Sequence, residues 1–205
     1  MMRPVTGRLL PQAFYARDAL DVARDLLGQE IWRGSVGLRI TEVEAYRHPD
    51  DSANHCRAGR TRRNAPMWGP PGRAYVYLCY GLHQMLNLVT NGDGEGAAVL
   101  IRSCEPIAGH ATVRRRRGGK DGPVLLTGPG KVGQALGLDL GFSGHPLYRR
   151  GGLEVRKGHA VSSFAVGPRI GIGYAAGEHQ DAEWRLAETD SAWVSHPRQL
   201  RRVEA

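Results

Sequence analysis

Glu42 and Glu44 stand two residues apart in a run whose alternate positions change from apolar (Val36, Leu38, Ile40) to acidic and end at Tyr46. On a β-strand these positions share one face, and neighbours along it lie roughly 6–7 Å apart. Two carboxylates so placed suit hydrolysis of a glycosidic bond, one acting as acid and the other as base. A buried carboxylate is costly unless it has a partner or a task. The plain alternative is an edge strand whose glutamates are solvated. The order of residue types predicts a face that runs from the core into a wet region.

Tyr46, Tyr75, Tyr77 and Tyr80 form a second candidate set. Tyr75 and Tyr77 share a strand face, and Tyr80 stands at a Tyr80–Gly81 turn from which it can protrude. Such stripes often fill half-buried cores, but aromatic faces also stack nucleobases, at about 1–3 kcal/mol each.

Two further patterns mimic known sites. His48, Asp50, Asp51 and His55 offer metal-ligating types, but their spacing fits no helical zinc motif. Residues 128–133 match G-x-G-x-x-G, with Glu154 placed where a ribose-binding acid would be sought. Pro129 removes a phosphate-binding N–H from that fingerprint, and no βαβ pattern surrounds it. A helix start with Lys131 near a phosphate is the better reading. No metal and no cofactor is expected.

The chain of 205 residues carries 28 Lys and Arg against 20 Asp and Glu, a formal charge of +8, and only Lys120, Lys131 and Lys157 are lysines. Guanidinium groups bind phosphate in a bidentate manner, so this balance nominates nucleic acid without establishing it. Solvated basic loops are the bland alternative. Three scattered cysteines (56, 79, 104) suggest neither a disulfide framework nor a zinc ribbon. Without an apolar run of about 18 residues or a secretory N-terminus, the expectation is a cytoplasmic, nucleoid-associated bacterial protein away from membranes.

These side chains need elements to position them. Asp18 can cap a helix with Leu20, Val22, Ala23, Leu26 and Leu27 on its apolar side and Gly28 as its stop. Strands are predicted over 29–33, 36–46, 73–81, 85–90 and 97–103, with a turn at 91–96. Residues 48–64 lack periodicity and read as a long functional loop. A short helix is predicted over 107–113, a basic Gly-rich excursion over 114–123, a strand-like piece at 124–127 and a helix over 132–138. Late strands are predicted at 169–173 and 184–188. The fold class is therefore α+β (mixed α/β): one domain spanning 1–205, a curved, mainly antiparallel β-sheet with flanking helices, and flexible termini at 1–8 and 197–205.

Taken in order, several segments resemble the alkyladenine (3-methyladenine) DNA glycosylase family: L-L-G-Q at 26–29, T-E-V-E-A-Y at 41–46, P-D-D-S-A-N-H at 49–55 and R-N-A-P-M-W at 63–68. Y-V-Y-L-C-Y-G at 75–81, L-N-L-V-T at 86–90, V-L-I-R-S-C-E-P at 99–106, L-T-G-P-G-K-V-G-Q-A-L at 126–136, P-R-I-G-I-G at 168–173 and W-V-S at 193–195 continue the series.

The resemblance implies a monofunctional base-excision-repair enzyme. It would flip alkylated or deaminated purines (3-methyladenine, 7-methylguanine, hypoxanthine, ethenoadenine) from double-stranded DNA and hydrolyse the glycosidic bond without a lyase step. It implies Glu44 as general base, with Arg102 and the carbonyl of Ile170 holding the water. Tyr46, His55 and Tyr77 would sandwich the base, Asn87 would crowd the guanine exocyclic amine, and Tyr80 would enter the duplex. Arg60, Arg63 and Lys131 are expected on the DNA backbone. Glu42 receives no role. Leu82 and His83 depart from the family pattern beside the wedge. The expected state is a monomer. The rival reading is a non-catalytic nucleic-acid-binding domain using the same arginines and tyrosines. A carbohydrate hydrolase would gain nothing from so positive a field.

Overall fold

The computed structural model describes residues 7–203, and a nine-stranded sheet, antiparallel in every pairing, organises them. After a single turn, α1 (Gln12–Tyr15), comes α2 (Ala19–Leu26), capped by the Asp18 side chain, which accepts from Leu20 N at 2.8 Å. Gly28, at φ 79°, ends it as predicted. The strands are β1 (Glu30–Arg33), β2 (Val36–Tyr46), β3 (Ala74–Cys79), β4 (His83–Val89) and β5 (Ala98–Ala108), followed by helices α3 (His110–Arg116) and α4 (Pro129–Leu136). Then come β6 (Leu153–Arg156), β7 (Phe164–Gly167), α5 (Gly177–Asp181), β8 (Arg185–Glu188) and β9 (Arg201–Val203).

The strand order is β3-β4-β5-β2-β8-β7-β9, with β1 between β2 and β6. Strand β2 is the axis. One edge pairs with β5 throughout, while the other pairs with β1 up to Arg39 and with β8 from Glu42 to Glu44. The β2–β5 register is irregular on both sides of Glu42, where the partner changes.

Parity divides the sheet. Val43, Ala45, Val76, Leu86, Leu88, Val99 and Ile101 face a core that includes Val22, Ala23 and Leu26 of α2 and Val132, Ala135 and Leu136 of α4. Each such Val, Leu or Ile contributes about 1.5–3 kcal/mol by leaving water. The opposite parity carries the candidate site.

Several expectations change. Residues 169–173 form a loop after β7 instead of a strand, and 124–127 begins in a 3-10 turn, Pro123–Leu125. Strand β5 extends to Ala108, so the helix expected from 107 starts at His110, after Gly109 at φ 71°. That helix takes up the first part of the supposed 114–123 excursion. The far end of β2 is dry: Glu42 and Glu44 have no exposed surface. The tail expected to trail from 197 contains a 3-10 turn, Pro197–Gln199, and β9, paired with β7. Near the other end, Leu10 N donates to Val155 O. Residues 1–6 and 204–205 lie outside the described residues.

Candidate active site

Register builds the site. Tyr75 pairs with Asn87, Asn87 with Leu100, Leu100 with Glu44 and Glu44 with Arg185, so one row crosses β3, β4, β5, β2 and β8. Two residues along, on the same face, stand Tyr77, Arg102, Glu42 and Tyr46. The loop over 48–64 brings His55 to this row. It lacks periodicity but is pinned by amides: Asn54 Nδ2 donates to Gly96 O at 2.7 Å, and Asn64 Nδ2 donates to His55 O at 2.9 Å.

Glu44 sits at the floor of the row. Its Oε1 accepts from the Ile170 backbone N–H at 2.7 Å and from Arg102 Nη1 at 3.1 Å, and its Oε2 accepts from the Tyr46 hydroxyl at 2.9 Å. Three donors, one cationic, offset the cost of burying the carboxylate. Burial first, and then the Glu44 charge, push the Tyr46 hydroxyl well above its ordinary range, so it stays a proton donor.

Above this floor opens a cleft of about 450 Å³, lined by Tyr46, His55, Tyr75, Tyr77, Asn87, Arg102 and Ile170, with Met67, Met85 and Ile172 among its apolar walls. The volume suits a small planar organic group. The His55 ring packs edge-on to Tyr77 at 4.6 Å between centroids. Burial, with help from the nearby Arg63 and Arg57 charges, pulls the His55 pKa down to about 4, so the ring is neutral at pH 7. Asn87 is held across the β3–β4 ladder, its Nδ2 donating to Tyr75 O at 3.1 Å. Arg169 lies over the Tyr46 ring at 4.7 Å and forms a two-point pair with Asp51, at 2.6 and 2.8 Å. The cation–π attraction of that ring is thus partly engaged before any ligand arrives.

At the rim, β3 turns into β4 through Tyr80 and Gly81, at φ 49° and 70°. Left-handed backbone suits glycine but strains a tyrosine, and the turn thrusts the ring outward: Tyr80 is 90 % exposed and Leu82 75 % exposed. Helix α4 braces this hairpin. A Cβ on Gly133 would fall 2.1 Å from Gln84 O, so that glycine permits α4 to touch β4 backbone.

Gly130 and Gly133 are therefore packing positions and Pro129 opens α4, while Glu154 pairs with Arg156 at 2.5 Å instead of awaiting a ribose. The metal-like set disperses: Asp51 pairs with Arg169, and His48 stacks on Trp68. Among the described residues no group of three or more His, Cys, Asp or Glu is placed to hold a metal. Arg63 lines the cleft, and Arg60 is exposed. Desolvation and the Arg117 and Lys120 charges lower the Lys131 pKa, and no carboxylate among the described residues pairs with it. The run 114–117 is mostly structural. Arg116 donates to Ala135 O, Arg117 to Leu125 O, and Arg114 pairs with Asp121.

The sequence profile of the methylpurine-DNA glycosylase family matches residues 13–192. The chain belongs to that family. It is similar to a provisionally named 3-methyladenine DNA glycosylase of Nitrosococcus oceani, 64% identical over 192 residues that cover 94% of this chain and 96% of the relative. It is also similar to a DNA-3-methyladenine glycosylase of Arabidopsis thaliana, 58% identical over 193 residues, covering 93% of this chain and 76% of that one. In this chain an aromatic-lined cleft adjoins the hairpin that exposes Tyr80.

Of the residues that the family resemblance nominates, Arg102, Tyr46, His55, Tyr77, Asn87 and Tyr80 line one cleft, and Glu44 lies beneath it, hydrogen-bonded to Arg102, Tyr46 and Ile170. Ile170, expected to act through its carbonyl on the water, instead meets Glu44 through its backbone N–H, because the 168–170 turn aims that amide at the carboxylate. Asp51 and Arg169 were missed as a pair. Their only signal was a charged type inside each of two otherwise unremarkable motifs, 49–55 and 168–173. Among the described residues no helix is long and apolar enough to cross a membrane.

Proposed function

We propose that this chain removes alkylated and deaminated purines from duplex DNA by flipping the nucleotide into the Tyr46–His55–Tyr77 cleft and hydrolysing its glycosidic bond with a water activated by Glu44. The observation that carries this reading is one juxtaposition. A buried carboxylate lies under an aromatic cleft, and a 90 % exposed tyrosine stands on the hairpin that borders it. A base inside a duplex is out of reach of any such carboxylate, so it must leave the stack at a cost of a few kcal/mol. Tyr80 offsets part of that cost by filling the vacated space.

As the glycosidic bond breaks, the sugar gains positive charge, which Glu44 stabilises while it takes a proton from the attacking water. Water uptake at Glu44 Oε2 exchanges with the Tyr46 hydroxyl bond that occupies this atom in the free chain. Arg102 and Ile170 keep the other oxygen in place. A neutral His55 adds no charge against a cationic alkylated base, which leaves without prior protonation. A neutral base such as hypoxanthine must instead take up a proton from solvent as its bond to the sugar breaks. Asn87 narrows the cleft on the side where guanine carries its amine. Arg60, Arg63 and Lys131 meet backbone phosphates as guanidinium and ammonium donors. No lysine among the described residues lines the cleft, which supports attack by water and no strand nick. The enzyme works as a nucleoid-associated monomer, a state that sedimentation would overturn by showing a stable dimer.

The test is single-turnover base release from duplexes carrying one hypoxanthine, one ethenoadenine or one 7-methylguanine, in the presence of chelator, with Glu44→Gln alongside. Release by the wild type and its loss in the variant support the reading. Tight binding with no release from any substrate overturns it.

A further inference from the structure

Glu42 has no part in the reaction proposed above. Like Glu44 it has no exposed surface, but where Glu44 accepts from Tyr46 and Ile170 of the cleft wall, Glu42 is turned to Ser103, Ser195 and Arg185. Yet its two oxygens are fully engaged. Ser103 Oγ donates to Oε2 at 2.6 Å, and Ser195 gives both its backbone N–H, to Oε2 at 2.7 Å, and its hydroxyl, to Oε1 at 2.8 Å. Arg185 Nη1 donates to Oε1 at 3.1 Å, and Arg102 Nε forms an ion pair with the same oxygen at 3.3 Å without hydrogen-bond alignment. The register irregularity at Glu42 is what lets the successive residues Arg102 and Ser103 both reach it. The W-V-S segment also gains a purpose, because Ser195 clamps this carboxylate.

Both groups that hold Glu44 Oε1 lead back to Glu42. Arg102 spans the two carboxylates, Nε toward Glu42 and Nη1 toward Glu44. Arg185 uses its Nε to hold Pro168 O at 2.8 Å, two residues before the Ile170 amide that grips Glu44. The result is a buried chain of alternating charge, Arg185–Glu42–Arg102–Glu44. Apolar residues of similar volume often replace such buried ion pairs without loss of stability, so stability alone does not account for the chain.

We propose that Glu42 is a positioning residue for glycosidic hydrolysis: it fixes Arg102 on one side and, through Arg185, the 168–170 turn on the other, and so holds Glu44 beneath the cleft. This rests on Glu44 as the water-activating base. Glu42 touches neither base nor water. Its loss leaves DNA binding intact and slows only the chemical step.

The experiment compares wild type, Glu42→Gln, Glu42→Asp, Ser195→Ala, Glu44→Gln and the Glu42→Gln/Glu44→Gln double variant. Single-turnover release of hypoxanthine is measured beside binding to a duplex bearing a tetrahydrofuran abasic-site analogue. Expected for Glu42→Gln is a fall in release of about 100-fold with binding within threefold of wild type. Ser195→Ala falls about 5- to 10-fold and reports on the clamp should Glu42→Gln fail to fold. Glu42→Asp recovers part of the loss. The double variant is no slower than Glu44→Gln alone, because groups that act as one unit are not additive. Release near wild type in Glu42→Gln and Ser195→Ala, beside an inactive Glu44→Gln, overturns the positioning role alone. Parallel losses of release and binding in Ser195→Ala do the same. An active Glu44→Gln overturns the base assignment, and this role with it.

Discussion

The two ends of the site are built on opposite terms. At the β2–β8 end, charged groups are taken out of water and each is matched: Glu44 by Arg102, Asp51 by Arg169, Glu42 by Arg185 and Ser195. At the β3–β4 tip, apolar surface stands in water, the Tyr80 ring on left-handed backbone and the Leu82 side chain largely exposed beside it. One end stores order, and the other leaves a hydrophobic surface waiting for a partner. On the proposed reading, recognition of the stack and chemistry on the base fall to separate parts, and substitutions should separate them.

The largest effect is expected from Glu44→Gln, which keeps the shape and removes the base. Release should fall about 10³-fold or more, roughly 4 kcal/mol in the barrier, with duplex affinity unchanged in anisotropy titrations. A parallel fall in affinity would blur the contrast between the ends. Next comes Arg169→Met, which strands Asp51 without its two-point partner and removes the support behind Tyr46. Breaking a buried pair costs about 3–5 kcal/mol, so thermal unfolding should shift down by roughly 10 °C.

Tyr80→Gly should act in the reverse sense at the tip. It relieves a left-handed residue, so stability rises by about 1 kcal/mol, while duplex lesion release falls about 10- to 100-fold through loss of the stacking wedge. Unchanged release would remove Tyr80 from the proposed flipping step. The smallest effect concerns His55. Its folded pKa of about 4 lies below the ordinary value, so between pH 6.5 and 4 the unfolded chain binds a proton that the folded chain refuses. Stability should therefore drop as pH falls through that window. His55→Gln should show a shallower drop when melting temperatures are compared from pH 7 to pH 4.5.

The sequence displays the hydrophobic skeleton because periodicity is local. The full extent of β2, the capped helix α2 and the Tyr80 turn are all visible in it. What periodicity hides is long-range pairing. Glu42 can be taken for a solvated or a catalytic acid because Arg185 lies 143 positions away, and Asp51 for one of a metal-like set because Arg169 lies 118 positions away. The alternation at 169–173 misleads for a different reason. Ile170 is there to give an amide to Glu44 and Ile172 to seal a small cluster with Ala53 and Ala175, so a loop borrows the pattern of a strand. The short strands β6, β7 and β9 carry too few residues for any period to register.

The contact of Gly133 with the Gln84 carbonyl has a mechanical meaning. A hairpin standing free would bend when its tip is pressed into stacked bases. Here the load on Tyr80 passes through β4 into α4 and the core beneath it, because no slack separates the two backbones. If Tyr80 wedges into stacked bases as proposed, the stiffness behind its ring depends on a glycine more than fifty residues further along the chain.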